Sequence, residues 1–201
     1  MKNYCLLFIP FLFLLSSCTN SPEVNEASIT EIKIIKPLGD QISKDLISSL
    51  QTELKKAIQT GGILSAIEVC NLKALPITDI IAKSTDNNVD IKRTTYKYRN
   101  KLNAPDDFEK LALDHFHSII ENKEILPESY IQKIEEKGEI NFYYYRPLKT
   151  GTVCLNCHGT NEIITTQTQS IIQDYYPEDK AVGYKEGEFR GLIRIKFPDF
   201  Q

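Results

Sequence analysis

The pentapeptide Cys154-Leu155-Asn156-Cys157-His158 constrains this chain more than any other stretch, because it asks the fold to seat a large flat group beside it. Cys-x-x-Cys-His is the signature of c-type haem attachment. The spacing has a chemical reason: two thiols add to the two vinyl groups of a porphyrin, and the adjacent histidine falls under the iron as proximal ligand. Rival readings fit less well. A thioredoxin-like pair opens a helix after a strand and does not need the histidine. A zinc site needs two more ligands at knuckle spacing, and the sequence holds no second Cys-x-x-Cys and no His-x-x-x-His. A plain disulfide across two residues is strained. The expectation is one covalent haem held by Cys154, Cys157 and His158.

The N-terminus points to export, the setting in which such attachment takes place. Lys2 gives a short positive start, Leu6 to Leu15 is an apolar run, and Ser16-Ser17-Cys18 follows. The run is too short to span a bilayer as a helix but fits the apolar part of an export signal. Leu15-Ser16-Ser17-Cys18 resembles a bacterial lipobox, whose cysteine receives lipid and becomes the first mature residue. The expectation is a signal peptide over 1–17, lipidation at Cys18, a flexible polar tether over 18–38 and a single domain over 39–201, anchored to the membrane and facing the periplasm. Nothing distinguishes inner from outer membrane. A net charge of −3 without a basic block argues against nucleic acid as a partner.

Of the five cysteines, Cys5 leaves with the signal, Cys18 takes lipid and two belong to the pentapeptide, so Cys70 stands alone. An odd cysteine in an oxidising compartment calls for an explanation. The only methionine is Met1, also lost with the signal, so a His/Met cytochrome is excluded. His115, His117, Cys70, a lysine, water or nothing remain for the sixth position at the iron.

Periodicity suggests helices first and strands later. A helix is expected from Asp40, with Ile42, Leu46, Ile47, Leu50, Leu54 and Ile58 on one stripe, stopped by Gly61-Gly62. A second stripe, Ile63, Ala66, Ile67, Cys70 and Ala74, turns Cys70 inward. Pro76 opens another short helical turn. Val89 to Thr95 alternates as a strand. Asp106 caps a helix whose apolar stripe carries Phe108, Leu111, Ala112, His115 and Ile119, while His117 falls on its polar face. Ile140 to Leu148, with Tyr143 to Tyr145 alternating between core and surface, reads as a strand ending at Pro147. Phe189 to Phe197 reads as the clearest strand. This order indicates an α+β fold.

Together, Ala66-Ile67-Glu68-Val69-Cys70, Arg93-Thr94, Arg99-Asn100, Pro105-Asp106, Arg146-Pro147, the pentapeptide with Gly159, Ala181-Val182-Gly183-Tyr184 and Arg190-Gly191 resemble the PAS-like c-type haem domain, the Tll-type haem domain, over roughly residues 40–197. The resemblance implies a PAS-like arrangement of N-terminal helices on an antiparallel sheet around the haem. It also implies an unusual axial pair, His158 and Cys70. Members serve as sensory ectodomains of receptors; no kinase accompanies this one, so a stand-alone domain is expected.

Arg93, Arg99 and Asn100 are candidates to hold haem propionates, since a guanidinium fork suits a carboxylate. The leading functional expectation is a redox or small-ligand sensor, with a diatomic gas or a redox partner protein as its counterpart. A mono-haem electron carrier is the alternative. A peroxidase-type enzyme ranks last, because no distal acid/base cluster stands out and only His115 could serve.

Overall fold

The computed structural model describes residues 22–85, 89–136 and 138–198. The expected signal peptide, Cys18 and the start of the expected tether lie outside these residues, as does the turn expected at Asp86-Asn87-Asn88. The remainder of the tether is a correction. Strand β1 (Glu23–Glu26) pairs with a later strand, and helix α1 (Ile29–Leu72) begins directly after it. Ser28 caps that helix, accepting from the Glu31 amide while Glu31 accepts from the Ser28 amide, and Ile35 is fully buried. The helix therefore starts well before Asp40. Pro37 and Gly39 read as breakers in sequence, yet both lie inside it. A local start signal lost to the tertiary burial of Ile35, Ile42 and Leu46.

Gly61-Gly62 does interrupt the helix as expected. Gly62 takes φ +71°, a left-handed conformation that glycine tolerates, so the chain turns and continues as a second arm carrying Cys70. Helix α2 (Ala74–Lys83) and strand β2 (Asp90–Thr94) follow. Helix α3 (Asp107–Glu121) is capped at Asp106 by the reciprocal Asp106–Glu109 arrangement. Strands β3 (Tyr130–Glu136) and β4 (Glu139–Lys149) form a hairpin. The short helix α4 (Leu155–His158), helix α5 (Thr166–Tyr175) and strand β5 (Phe189–Pro198) complete the chain. The sheet is antiparallel with order β1-β3-β4-β5-β2, so the α+β expectation is met.

Both faces of the sheet are covered. Helices α1 and α2 pack on Ile91, Phe142, Tyr144, Ile193, Ile195 and Phe197. Helix α3 packs through Ala112, Leu113 and Phe116 on Tyr143, Tyr145, Ile134 and Leu192. Tyr143, Tyr144 and Tyr145 are consequently all buried, and none is the surface residue that one-sided alternation suggested. Glu109, fully buried, ties α3 to the sheet by accepting from Lys92 at 2.7 Å, Thr94 at 3.0 Å and Arg194 at 3.1 Å. A buried carboxylate so surrounded leaves no charge uncompensated.

Gly39 permits the closest helix–sheet contact. A Cβ there would intrude into the Tyr144 ring, which is fully buried and anchored through its hydroxyl to Asp40 at 2.6 Å. Gly39→Ala should destabilise the fold by about 2 kcal/mol in denaturant unfolding, despite the better helix propensity of alanine, because overpacking against a fixed ring outweighs that gain.

Candidate functional site

Strand β4 delivers the chain to Gly151, and a single 3-10 turn over Thr152–Cys154 leads directly into α4. The pentapeptide thus runs from the end of this turn through α4, which brings Cys154, Cys157 and His158 to one side of a single helical turn. Gly159 ends it: its amide donates to Leu155 O at 2.9 Å, and a Cβ there would stand 2.6 Å from that same oxygen.

The segment Asp179–Tyr184 holds the motif from behind. Gly183 N–H donates to Gly159 O at 2.7 Å and Tyr184 N–H to His158 O at 2.9 Å. His158 Nδ1 lies 2.7 Å from Ala181 O. A carbonyl can only accept, so Nδ1 carries the proton and Nε2 keeps its lone pair. Burial, reinforced by Arg99 and Arg190 and opposed by the Ala181 contact, holds the His158 pKa well below its ordinary value. The ring is a neutral imidazole with one nitrogen ready to bind a metal.

In front of the motif lies a cavity of about 280 Å³. Cys154, His158 and Cys70 open onto it together. Cys70 is exposed, and what it faces is this cavity; it does not point into the core as the helical stripe implied. Protein crowds its other sides and pushes the thiol pKa up, while Arg93 and Arg99 pull it back down. Cys157 packs beside the cluster of Ile67, Ile172 and Tyr176, between α1 and α5. Burial there raises its thiol to about 11.

The walls are of two kinds. Ile47, Leu50, Leu75, Leu148, Leu192 and Ile193 are apolar, and Arg93, Arg99 and Arg190 supply guanidinium groups. Arg93 Nε is buried without a hydrogen-bond partner. Such an orphaned donor calls for an anionic acceptor from a ligand. Apolar walls, a cationic margin and paired thiols beside a neutral histidine fit a porphyrin bearing carboxylates.

The other candidates divide. Arg99 meets its carboxylate within the chain: Nε and Nη2 donate to Asp179 at 3.2 and 3.1 Å, and Nη2 also to Cys157 O at 2.5 Å and Ala181 O at 3.3 Å. Asn100 lines the cavity, but its side-chain oxygen caps the turn at Lys101–Asn103 by accepting from Leu102 N. His115 and His117 are not among the residues lining the cavity. His115 is exposed and stacks on Tyr130 with ring centres 4.2 Å apart, so it lies off the buried stripe where it was expected. His117 is half-buried, edge-on to Phe189 rather than fully solvated. Tyr143 to Tyr145 lie away from the cavity too. Asp179 escaped sequence reasoning altogether, because Tyr-Pro-Glu-Asp reads as an ordinary turn and its partner is 80 residues away. Arg190, whose Nη1 donates to Lys97 O at 3.0 Å, had only its place beside Gly191 as a signal.

A PAS-like α+β domain with a Cys-x-x-Cys-His helix at the mouth of a cationic cavity defines the class. The chain belongs to the Tll0287-like family, whose model matches residues 22–198. Among solved structures it is similar to the cyanobacterial haem protein Tll0287, at 24% identity and a TM-score of 0.57, covering 87% of this chain and 99% of that one. At that identity the likeness is one of fold. No curated protein matches the chain.

The depth of Cys157 has a direct consequence. In haem-free protein at pH 8, alkylation by iodoacetamide should run about 100-fold slower at Cys157 than at an unperturbed thiol, since the thiolate is the reactive form. Peptide mapping over time measures this; a rate equal to that of free cysteine would contradict the burial.

Proposed function

We propose that this protein binds one c-type haem, joined to Cys154 and Cys157 and ligated by His158 and Cys70, and works as a redox- or small-ligand-responsive protein. The observation that carries the reading is the meeting of Cys70 with Cys154 and His158 on one cavity. The haem-protein character of Tll0287 supports it, as does the orphaned Arg93 Nε, which suits a propionate. When bound, haem supplies an iron that exchanges one electron and accepts a small molecule at a vacated axial position.

The chain's own residues shape that chemistry. His158 offers Nε2 from a ring whose tautomer and tilt are set by Ala181 O. Cys70, as a thiolate, would donate electron density to a bound iron and would favour its ferric state, which lowers the potential. Arg93 and Arg99 lie close enough to Cys70 to oppose the burial penalty on that charge. Cys70 sits on the helical arm beyond Gly62 and is exposed on one side, so it would be the ligand to release the iron if reduction weakened their bond. Withdrawal would open the position for a diatomic gas. A sulfur that stayed in place in both states would instead make the protein an electron carrier for a partner protein. An enzymatic role is not part of the proposal: His115, the histidine suited to distal acid/base work, stacks on Tyr130.

Lipidation at Cys18 would hold the domain at the membrane on the periplasmic side. Nine residues lie between that cysteine and the helix cap at Ser28, so the folded domain would stand close to the bilayer.

Electron paramagnetic resonance of the ferric protein tests the axial pair. A low-spin thiolate signature is expected, converting on Cys70→Ala to a high-spin or differently ligated form that binds carbon monoxide faster after reduction. A bis-histidine or high-spin signal in the wild type, unchanged by Cys70→Ala, would refute thiolate ligation.

A further inference from the structure

We propose that the buried Arg99–Asp179 pair is a positioning clamp that sets the axial histidine and trims the redox potential of the site, an inference that rests on the haem reading above. The two side chains are 10% and 6% exposed and joined by two hydrogen bonds, so neither is a solvated surface charge. Their remaining side-chain hydrogen bonds converge on the backbone around His158. Asp179 Oδ1 accepts from Ala181 N–H at 2.9 Å. Arg99 Nη2 donates to Ala181 O and to Cys157 O. Ala181 O is the very atom that accepts from His158 Nδ1. One ion pair therefore grips both ends of the histidine's support: the carbonyl that orients the ring, and the residue preceding the ring in the chain.

Sharing that carbonyl has an electronic consequence as well as a geometric one. With Arg99 donating to Ala181 O, the oxygen is a weaker acceptor for His158, and the imidazole keeps less anionic character. The guanidinium charge itself also disfavours the more positive, ferric state of a nearby iron, while the Asp179 carboxylate favours it. The pair is neutral overall, so each member masks the other.

A loosened loop and an altered charge predict different results. Arg99→Gln should lower the midpoint potential of the holoprotein, because it removes a positive charge and returns Ala181 O wholly to His158. Asp179→Asn should raise it. The double variant Arg99→Gln/Asp179→Asn strands no buried charge, so it survives if either single variant fails to fold, and its potential should lie between the two singles and near the wild type. Arg99→Lys keeps the charge without the fork, so its potential should move less than that of Arg99→Gln. In haem-free protein, hydrogen exchange at the Gly183 and Tyr184 amides should still accelerate in Arg99→Lys. Potentiometry, ferric paramagnetic spectra and amide exchange read these effects separately. Shifts of the same sign in both single variants, or a double variant displaced as far as either single, would overturn the clamp while leaving a loaded haem site intact. If the single variants do not fold, a double variant far from the wild type overturns it. A wild type that takes up no haem would instead overturn the reading beneath it, and the clamp's redox role with it.

Discussion

The hydrogen bond from His158 Nδ1 to Ala181 O, 2.7 Å long, is the contact on which the site depends. It fixes which ring nitrogen holds the proton and which faces the cavity. A four-residue helix cannot do this alone, since α4 has too few turns to stiffen itself. Stiffness comes from outside, through the Asp179–Tyr184 segment, whose backbone meets the motif at Ala181, Gly183 and Tyr184. The sheet in turn determines where that segment can run, because β4 leads into the motif and β5 leaves from the loop behind it.

Charge is handled differently on the two sides of the sheet. Beneath α3, Glu109 is surrounded by donors from β2, β5 and its own cap, a closed network that binds the layers together. Three guanidinium groups line the cavity; Arg99 is paired with Asp179, while Arg93 Nε is left without a partner. A structural core would not leave that donor orphaned. The contrast separates the part of the molecule built for stability from the part that, in the proposed function, would receive the carboxylates of the haem.

Local chemistry explains what could be read in sequence. The Asp106 cap, the Gly61-Gly62 break and the alternation of Phe189 to Phe197 are short-range signals, and each appears where expected. Strand β3 is not legible in the sequence because Gln132 and Lys133 interrupt its apolar pattern, and Gln132 is buried with Tyr145 donating to it across the sheet. The start of α1 was hidden by Pro37 and Gly39, whose usual meaning was overridden by packing against Tyr144. At the site, the pentapeptide, Cys70 and Arg93 were evident by residue type, and the structure brings them together on or beside one cavity. Asp179 was not, since an acid gains this role only from an arginine that the fold carries to it.

The proposed function requires covalent attachment at Cys154 and Cys157. Its most direct test is the mass of the peptide spanning Cys154–His158, from protein made in cells with an intact haem-attachment pathway. This peptide should carry one haem bound through both sulfurs and absorb visible light. An unmodified peptide from colourless, folded protein would contradict it.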